Sequence, residues 1–151
     1  MTLDIKLKSL KEPTEDSDGL RVLIARFRPR YLPKQKENWY QWWKELAPSR
    51  ELWKSYIKDK EIEWPEYKRQ YINEIKNNPE SMHLLQILSS FINGNEGKNN
   101  HIQQEQQNLS ERINLIQKYG TITLLCHCKD EIYCHRSIVK EIISLGIEKV
   151  V

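Results

Sequence analysis

Glycine is scarce in this chain, five residues in 151, and none builds the glycine-rich loop that cradles a phosphate ahead of a helix. That removes the common nucleotide-loop signatures as a source of function. Acidic residues are missing from one place in particular. Arg21, Arg26, Arg28 and Arg30 fall within ten residues that contain no aspartate or glutamate. No apolar run approaches the roughly 18 residues of a membrane span, so no membrane partner is expected. The N-terminal stretch MTLDIKLKSLKEP has neither a long apolar segment nor a small-residue cleavage site, so a signal peptide is not expected either. Cysteine is limited to three residues, an odd number in one short stretch, which argues against a secreted disulfide framework. Reduced thiols and a cytoplasmic location follow as expectations.

What is present is concentrated in Thr121–Arg136, TITLLCHCKDEIYCHR. All three cysteines and two of the four histidines lie in that stretch. The apolar residues Ile122, Leu124 and Leu125 give Thr121–Cys126 the continuous hydrophobic character of a strand covered on both faces. A helix is expected from about His135 to Leu145, with Gly146 as its terminator. A buried strand running into a helix is the unit of parallel α/β sheets, which bind ligands at the carboxyl ends of their strands.

Elsewhere, Leu3–Leu7 alternates as a short edge strand does, and Leu20–Ala25 reads as a second strand. Trp39, Trp42, Trp43 and Leu46 fall at helical spacing and predict a helix packed into the core rather than a base-stacking platform. Ser49 is placed to cap a helix carrying Leu52, Trp53, Tyr56 and Ile57. Pro65 suits a first helical turn ahead of Tyr67, Tyr71 and Ile75. Asn78-Pro79 starts a further helix, and Leu109, Ile113 and Ile116 mark another. Residues 93–108 are rich in glycine, asparagine and glutamine and read as a flexible insertion. Ile147–Val151 reads as a last short strand. One domain over 1–151 is expected.

The chemistry available is that of a thiol, an imidazole and a guanidinium. With Cys134 as helix cap, its sulfur lies beside unsatisfied N–H groups and the positive end of the macrodipole, which favours the thiolate. A thiolate is a nucleophile; the bland alternative is a small buried residue filling a strand–helix junction. His135 is a candidate general acid or base, or else a structural cap. Arg136 in a first helical turn is unfavourable by ~0.3–1 kcal/mol unless an anion sits between it and the helix end. That anion is either a ligand or a carboxylate, with Asp130 and Glu131 as the local candidates. His127 is read as structural. A phosphatase-like or rhodanese-like loop is excluded, because seven residues separate Cys128 from Arg136 and one separates Cys134 from it. Zinc is disfavoured because C-x-C-x5-C-H lacks the usual gap of about two to four residues between paired cysteines. No metal and no cofactor are expected.

Four segments carry a family likeness. They are Asp18-Gly19-Leu20-Arg21-Val22-Leu23-Ile24 running into Arg26-Phe27-Arg28-Pro29-Arg30; Trp43-Lys44-Glu45-Leu46-Ala47-Pro48-Ser49; Trp64-Pro65-Glu66-Tyr67 with Tyr71 and Glu74; and Thr123-Leu124-Leu125-Cys126 leading to Cys134-His135-Arg136. In that order they resemble the domain of unknown function 488 family, which includes the YeaO-like proteins. The resemblance implies a single compact α/β domain with a small, mainly parallel sheet covered by several helices. It supplies no activity. Its pattern falls on Arg21, Arg26, Arg30, Cys134, His135 and Arg136, while Cys128 departs from it.

The expectation is therefore an anion pocket at strand ends. Arg21, Arg26, Arg28 and Arg30 would bind a small anionic or nucleotide-like ligand, and Cys134, His135 and Arg136 would supply any chemistry. The competing class is a nucleic-acid-associated module that uses the arginine run without thiol chemistry.

Overall fold

The structure, a computed structural model, describes residues 3–92, 107–128 and 130–150. The expected insertion at 93–108 lies almost wholly outside them. Four strands, β1 (Asp4–Ser9), β2 (Leu20–Leu23), β3 (Gln41–Trp42) and β4 (Thr121–Cys126), form one sheet in the order β1-β4-β2-β3, every pairing parallel. Among the described residues five α-helices accompany it: α1 (Arg50–Trp53), α2 (Trp64–Lys76), α3 (Pro79–Ile92), α4 (Gln107–Tyr119) and α5 (His135–Leu145). The chain is thus a single α/β domain with a small parallel sheet covered by helices. No helix among the described residues is long and apolar enough to cross a membrane.

The two faces of the sheet are covered differently. Ile5, Leu20, Val22, Ile24, Ile122 and Leu124 share one core with Tyr71, Leu84, Leu88, Ile116, Val139 and Ile142 from the helices. The opposite face is partly ionic. Lys6, Thr123 and Arg21 stand side by side across β1, β4 and β2. Asp18, buried just before β2, accepts from Lys6 (3.0 Å), from Lys8 (3.0 Å) and from Arg21. Its carbonyl also accepts from the Thr123 hydroxyl at 2.7 Å. The apolar pattern of β4 is therefore interrupted on this face by a threonine that anchors the Asp18 turn. Gly19 follows with φ of 61°, and a Cβ there would meet the Thr121 carbonyl oxygen at 2.4 Å. The turn into β2 is open only to glycine.

Helix starts follow their local chemistry. The Ser49 hydroxyl accepts from Leu52 N at 3.1 Å, Pro65 occupies the first turn of α2, and Asn78 Oδ1 accepts from Glu80 N at 3.1 Å ahead of α3. Two expectations are corrected. Trp39–Leu46 is not a helix: Tyr40 N and Trp43 N each donate at 2.8 Å to the Arg21 and Leu23 carbonyls, so the segment becomes β3 and a 3-10 turn, Lys44–Leu46. The unpaired edge of β2 outcompetes helical periodicity. Trp43 is nonetheless fully buried, as a core residue should be. Ile147–Lys149 is a 3-10 turn rather than a strand.

Candidate functional site

The carboxyl ends of β2 and β4 open into a cleft of about 740 Å³. One wall is the segment that leaves β2, from Ala25 to Arg30. It is held in place by Arg26 Nε, which donates to the Pro48 carbonyl at 2.7 Å, and by His127 Nε2, which donates to the Phe27 carbonyl at 2.9 Å. A second wall comes from α1 and the wide π-type turn Lys54–Lys58 that continues it, a local irregularity that tends to occur near functional positions. Trp53 stands edge-on to Phe27 at 4.7 Å, and Tyr56 stacks on Tyr67 at 4.1 Å while its hydroxyl donates to the Tyr133 carbonyl at 3.1 Å. The floor is Cys126, Cys128, Cys134 and His135.

Cys134 occupies the cap position of α5 with extended backbone, φ −130° and ψ 149°. Its sulfur is the focus of the site. Arg136 Nε donates to it at 3.3 Å, and His135 Nδ1 lies 3.5 Å away. His135 Nε2 must donate to the Ile24 carbonyl, 2.7 Å distant, because a carbonyl only accepts. In the neutral ring this leaves Nδ1 as an acceptor facing the Cys134 thiol. The Tyr71 ring, centred 5.5 Å from the imidazole, packs against it.

Arg136 is fully buried. Its Nη2 donates to the Cys128 carbonyl at 2.8 Å and its Nη1 has no partner. Among the described residues no carboxylate comes within salt-bridge reach of it. Asp130 and Glu131, the local candidates had the anion been a carboxylate, are exposed. A buried guanidinium without a counter-charge is costly, and among the described residues the group on which it donates that can carry a negative charge is the Cys134 sulfur. The protonation balance agrees. Hydrogen bonds from the Cys126 and Cys128 thiols hold Cys134 well below the usual thiol value, aided by the His135 charge and opposed by burial. Cys126 is pushed up, first by its hydrogen bonds to Cys128 and Cys134 and then by burial. For Cys128 a hydrogen bond from Cys126 favours the thiolate, but donation to Cys134, burial and the Cys134 charge outweigh it and raise the thiol to about 11.

Ligating atoms of Cys126, Cys134 and His135 lie within 4.8 Å of one another, a donor set of the kind zinc takes. The Arg136 guanidinium already sits on the Cys134 sulfur, so a divalent cation would be placed against a fixed positive charge. We assign no metal to the cluster.

Of the arginines singled out in the sequence, Arg26, Arg28 and Arg30 line the same cleft as Cys134 and His135, whereas Arg21 does not. Arg21 lies on β2 itself, buried, held by Asp18 and by the Asn38 carbonyl at 2.7 Å. Arg28 pairs with Glu37 at the rim. Arg30 and Lys58 are exposed, and among the described residues no carboxylate lines the cleft. The aromatic wall, Phe27, Trp53, Tyr56 and Tyr133, and Lys58 were not read from the sequence as site residues. The spacing of Trp53 and Tyr56 marks a helix and its core face, and only tertiary packing turns them toward the cysteines. The crowding of Cys126 and Cys128 beside Cys134 was a visible signal.

The order of these segments recurs in a known family. Residues 5–99 and 99–145 match the family described as the active DUF488-N3 subclade, DUF488-N3a. The chain belongs to the DUF488 family. It is also similar to the uncharacterized protein YeaO of Escherichia coli K12, at 33% identity over 73 residues, 48% of this chain and 63% of that protein. The chain thus spans less than two thirds of that relative's length. No solved structure matches it. Neither description names a reaction or a substrate.

Proposed function

We propose that the cleft is an anion-binding, thiol-dependent catalytic site, taking a small nucleotide-like molecule whose negative charge meets Arg26, Arg28 and Arg30. The carrying observation is Arg136: fully buried, without a carboxylate partner, and donating to the Cys134 sulfur at 3.3 Å. That arrangement favours a standing thiolate, the nucleophilic form. In this reading Cys134 attacks an electrophilic centre of the bound molecule. His135 Nδ1, with Nε2–H held on the Ile24 carbonyl, carries the proton given up as the thiolate forms and passes it to the leaving group. The rim arginines and Lys58 hold the anionic part, and the aromatic wall offers a flat surface for a ring.

The nucleic-acid reading draws on the same arginine run and has weaker support. Arg21 is held on Asp18 outside the cleft, and Arg26, Arg28 and Arg30 converge on one cleft. The run therefore does not form an extended row along which a phosphate backbone would track.

The test is substrate protection. Iodoacetamide labelling of Cys134, followed by peptide mass mapping, should slow in the presence of adenosine monophosphate or inorganic phosphate. Arg30→Ala should abolish that protection while leaving the thermal unfolding midpoint unchanged. Labelling indifferent to both anions at every concentration tried would remove the anion site.

A further inference from the structure

A lone nucleophile needs one sulfur, and this floor has three. Cys126 ends β4, Cys128 follows in the adjoining loop, and Cys134 starts α5. The Cys126 thiol donates to the Cys128 sulfur at 4.0 Å, and the Cys126 and Cys134 sulfurs lie within 4.8 Å of each other. All three are free. The two neighbours differ in freedom. Cys126 is buried and backbone-paired, its carbonyl accepting from Leu10 N at 3.0 Å, whereas Cys128 is half-buried, sits past the strand and lines the cleft. Arg136 bridges the Cys134 sulfur and the Cys128 carbonyl, so the loop that bears Cys128 is tethered over the thiolate.

We propose that Cys134 and Cys128 form a dithiol–disulfide pair, in which Cys134 attacks the electrophilic oxygen of a hydroperoxide and Cys128 resolves the product. The pair rests on the thiolate reading given above and adds a second class of electrophile, separate from the anionic molecule the cleft takes. The Cys134 thiolate forms an S–O bond as the peroxide O–O bond breaks, leaving a sulfenic acid on Cys134 and releasing an alkoxide or hydroxide that takes a proton. The Cys128 sulfur then attacks the Cys134 sulfur, its proton leaves with the displaced hydroxide as water, and a disulfide forms. In sum, two thiols lose two electrons and two protons, and the peroxide becomes an alcohol or water plus water. The neighbouring cations suit this step, because the departing oxygen carries negative charge. Cys128, open to the cleft, also leaves the disulfide within reach of an external thiol that regenerates the pair.

The experiment treats the reduced full chain with one equivalent of hydrogen peroxide and maps the unreduced peptides by mass. Trypsin cuts after Lys129 and Arg136, so the Cys134 peptide separates from the one bearing Cys126 and Cys128. The expected product is those two peptides joined, lighter by two hydrogens. Cys126→Ser should still form the link. Cys128→Ser should stop at a Cys134 sulfenic acid, one oxygen heavier and trapped by dimedone. Three results would overturn the pair. One is wild-type Cys134 gaining two or three oxygens without a cross-link. Another is a link that survives Cys128→Ser. The third is a Cys134 that stays reduced under peroxide while iodoacetamide still labels it. In the first and third, nucleophilic Cys134 survives and only the pair falls; if Cys134 neither oxidises nor alkylates, both readings fall.

Discussion

Two buried charges set the residue scale, and they are balanced in opposite ways. Asp18 is an anion surrounded by cations. Burial pushes its carboxyl up, but the Glu15 amide, Lys6, Lys8 and Arg21 outweigh this and hold it well below the usual carboxylate range. A carboxyl depressed in the folded state contributes stability that is complete above its unfolded value of about 4 and is lost as pH falls toward the folded value. Urea midpoints should therefore be level near neutrality and fall below about pH 4. Asp18→Ala should flatten that fall and cost about 3–5 kcal/mol at pH 7, since it strands three cations on one sheet face. Arg136 is the reverse case, a cation whose counter-charge is a sulfur. Arg136→Met keeps most of the volume and removes the charge. It should raise the apparent Cys134 value and move the pH profile of iodoacetamide labelling upward, slowing the rate about tenfold for each unit raised at pH values below the inflection. An unchanged profile would mean the thiolate owes nothing to the guanidinium. Cys134, His135 and Arg136 were marked in the sequence by density and by a cation in the wrong helical turn, whereas Asp18 stood out only as part of a turn. Their partners were not readable. Asp130 and Glu131 are near Arg136 in sequence but exposed, and Asp18 claims Arg21 because β2 and β4 align Arg21 with Thr123 and Lys6.

At the scale of elements, α1 is the piece that makes the cleft, and it is short. Its start is held by the Ser49 hydroxyl, which accepts from Leu52 N and donates to Glu74 of α2, while Ser49 N also donates to Glu74 at 2.9 Å. Ser49→Ala removes the cap and the link together. It should cost about 1–2 kcal/mol, the upper range for losing a cap, and should raise hydrogen exchange across 50–58 more than elsewhere. Uniform exchange changes would show that α1 does not depend on this anchor. Gly19→Ala should destabilise more severely, because a Cβ at φ of 61° also meets the Thr121 carbonyl. Elements with a local start signal, α1, α2, α3 and α5, were legible because a serine cap, a first-turn proline, an Asn-Pro pair and a strand–helix junction act within a few residues. Trp39–Leu46 was not. Its spacing suits a helix, but the open edge of β2 is a hydrogen-bonding partner that no local pattern announces.

For the molecule as a whole, the parallel sheet brings distant pieces to one end. The arginine segment after β2 and the cysteines after β4 are about a hundred residues apart in the chain, yet they meet because β2 and β4 are hydrogen-bonded neighbours that run the same way. The α/β class was legible from β4 running into α5, and it carried the expectation that both segments sit at carboxyl ends. The aromatic wall facing them was not, since it depends on how α1 and its wide turn lie over the sheet end. The uneven cover of the sheet, helices on one face and an ionic turn on the other, was also hidden, because β4 reads as uniformly apolar apart from its threonines.

The central claim is a standing thiolate at Cys134, and the rate of iodoacetamide labelling at that residue against pH tests it most directly. Peptide mapping separates Cys134 from the more open Cys128. A rate that rises and levels off well below the ordinary thiol value of about 8.5, with Cys128 labelled appreciably only near 11, is the expected result. An inflection at or above 8.5, or a Cys134 that never reacts in the folded protein, would contradict it.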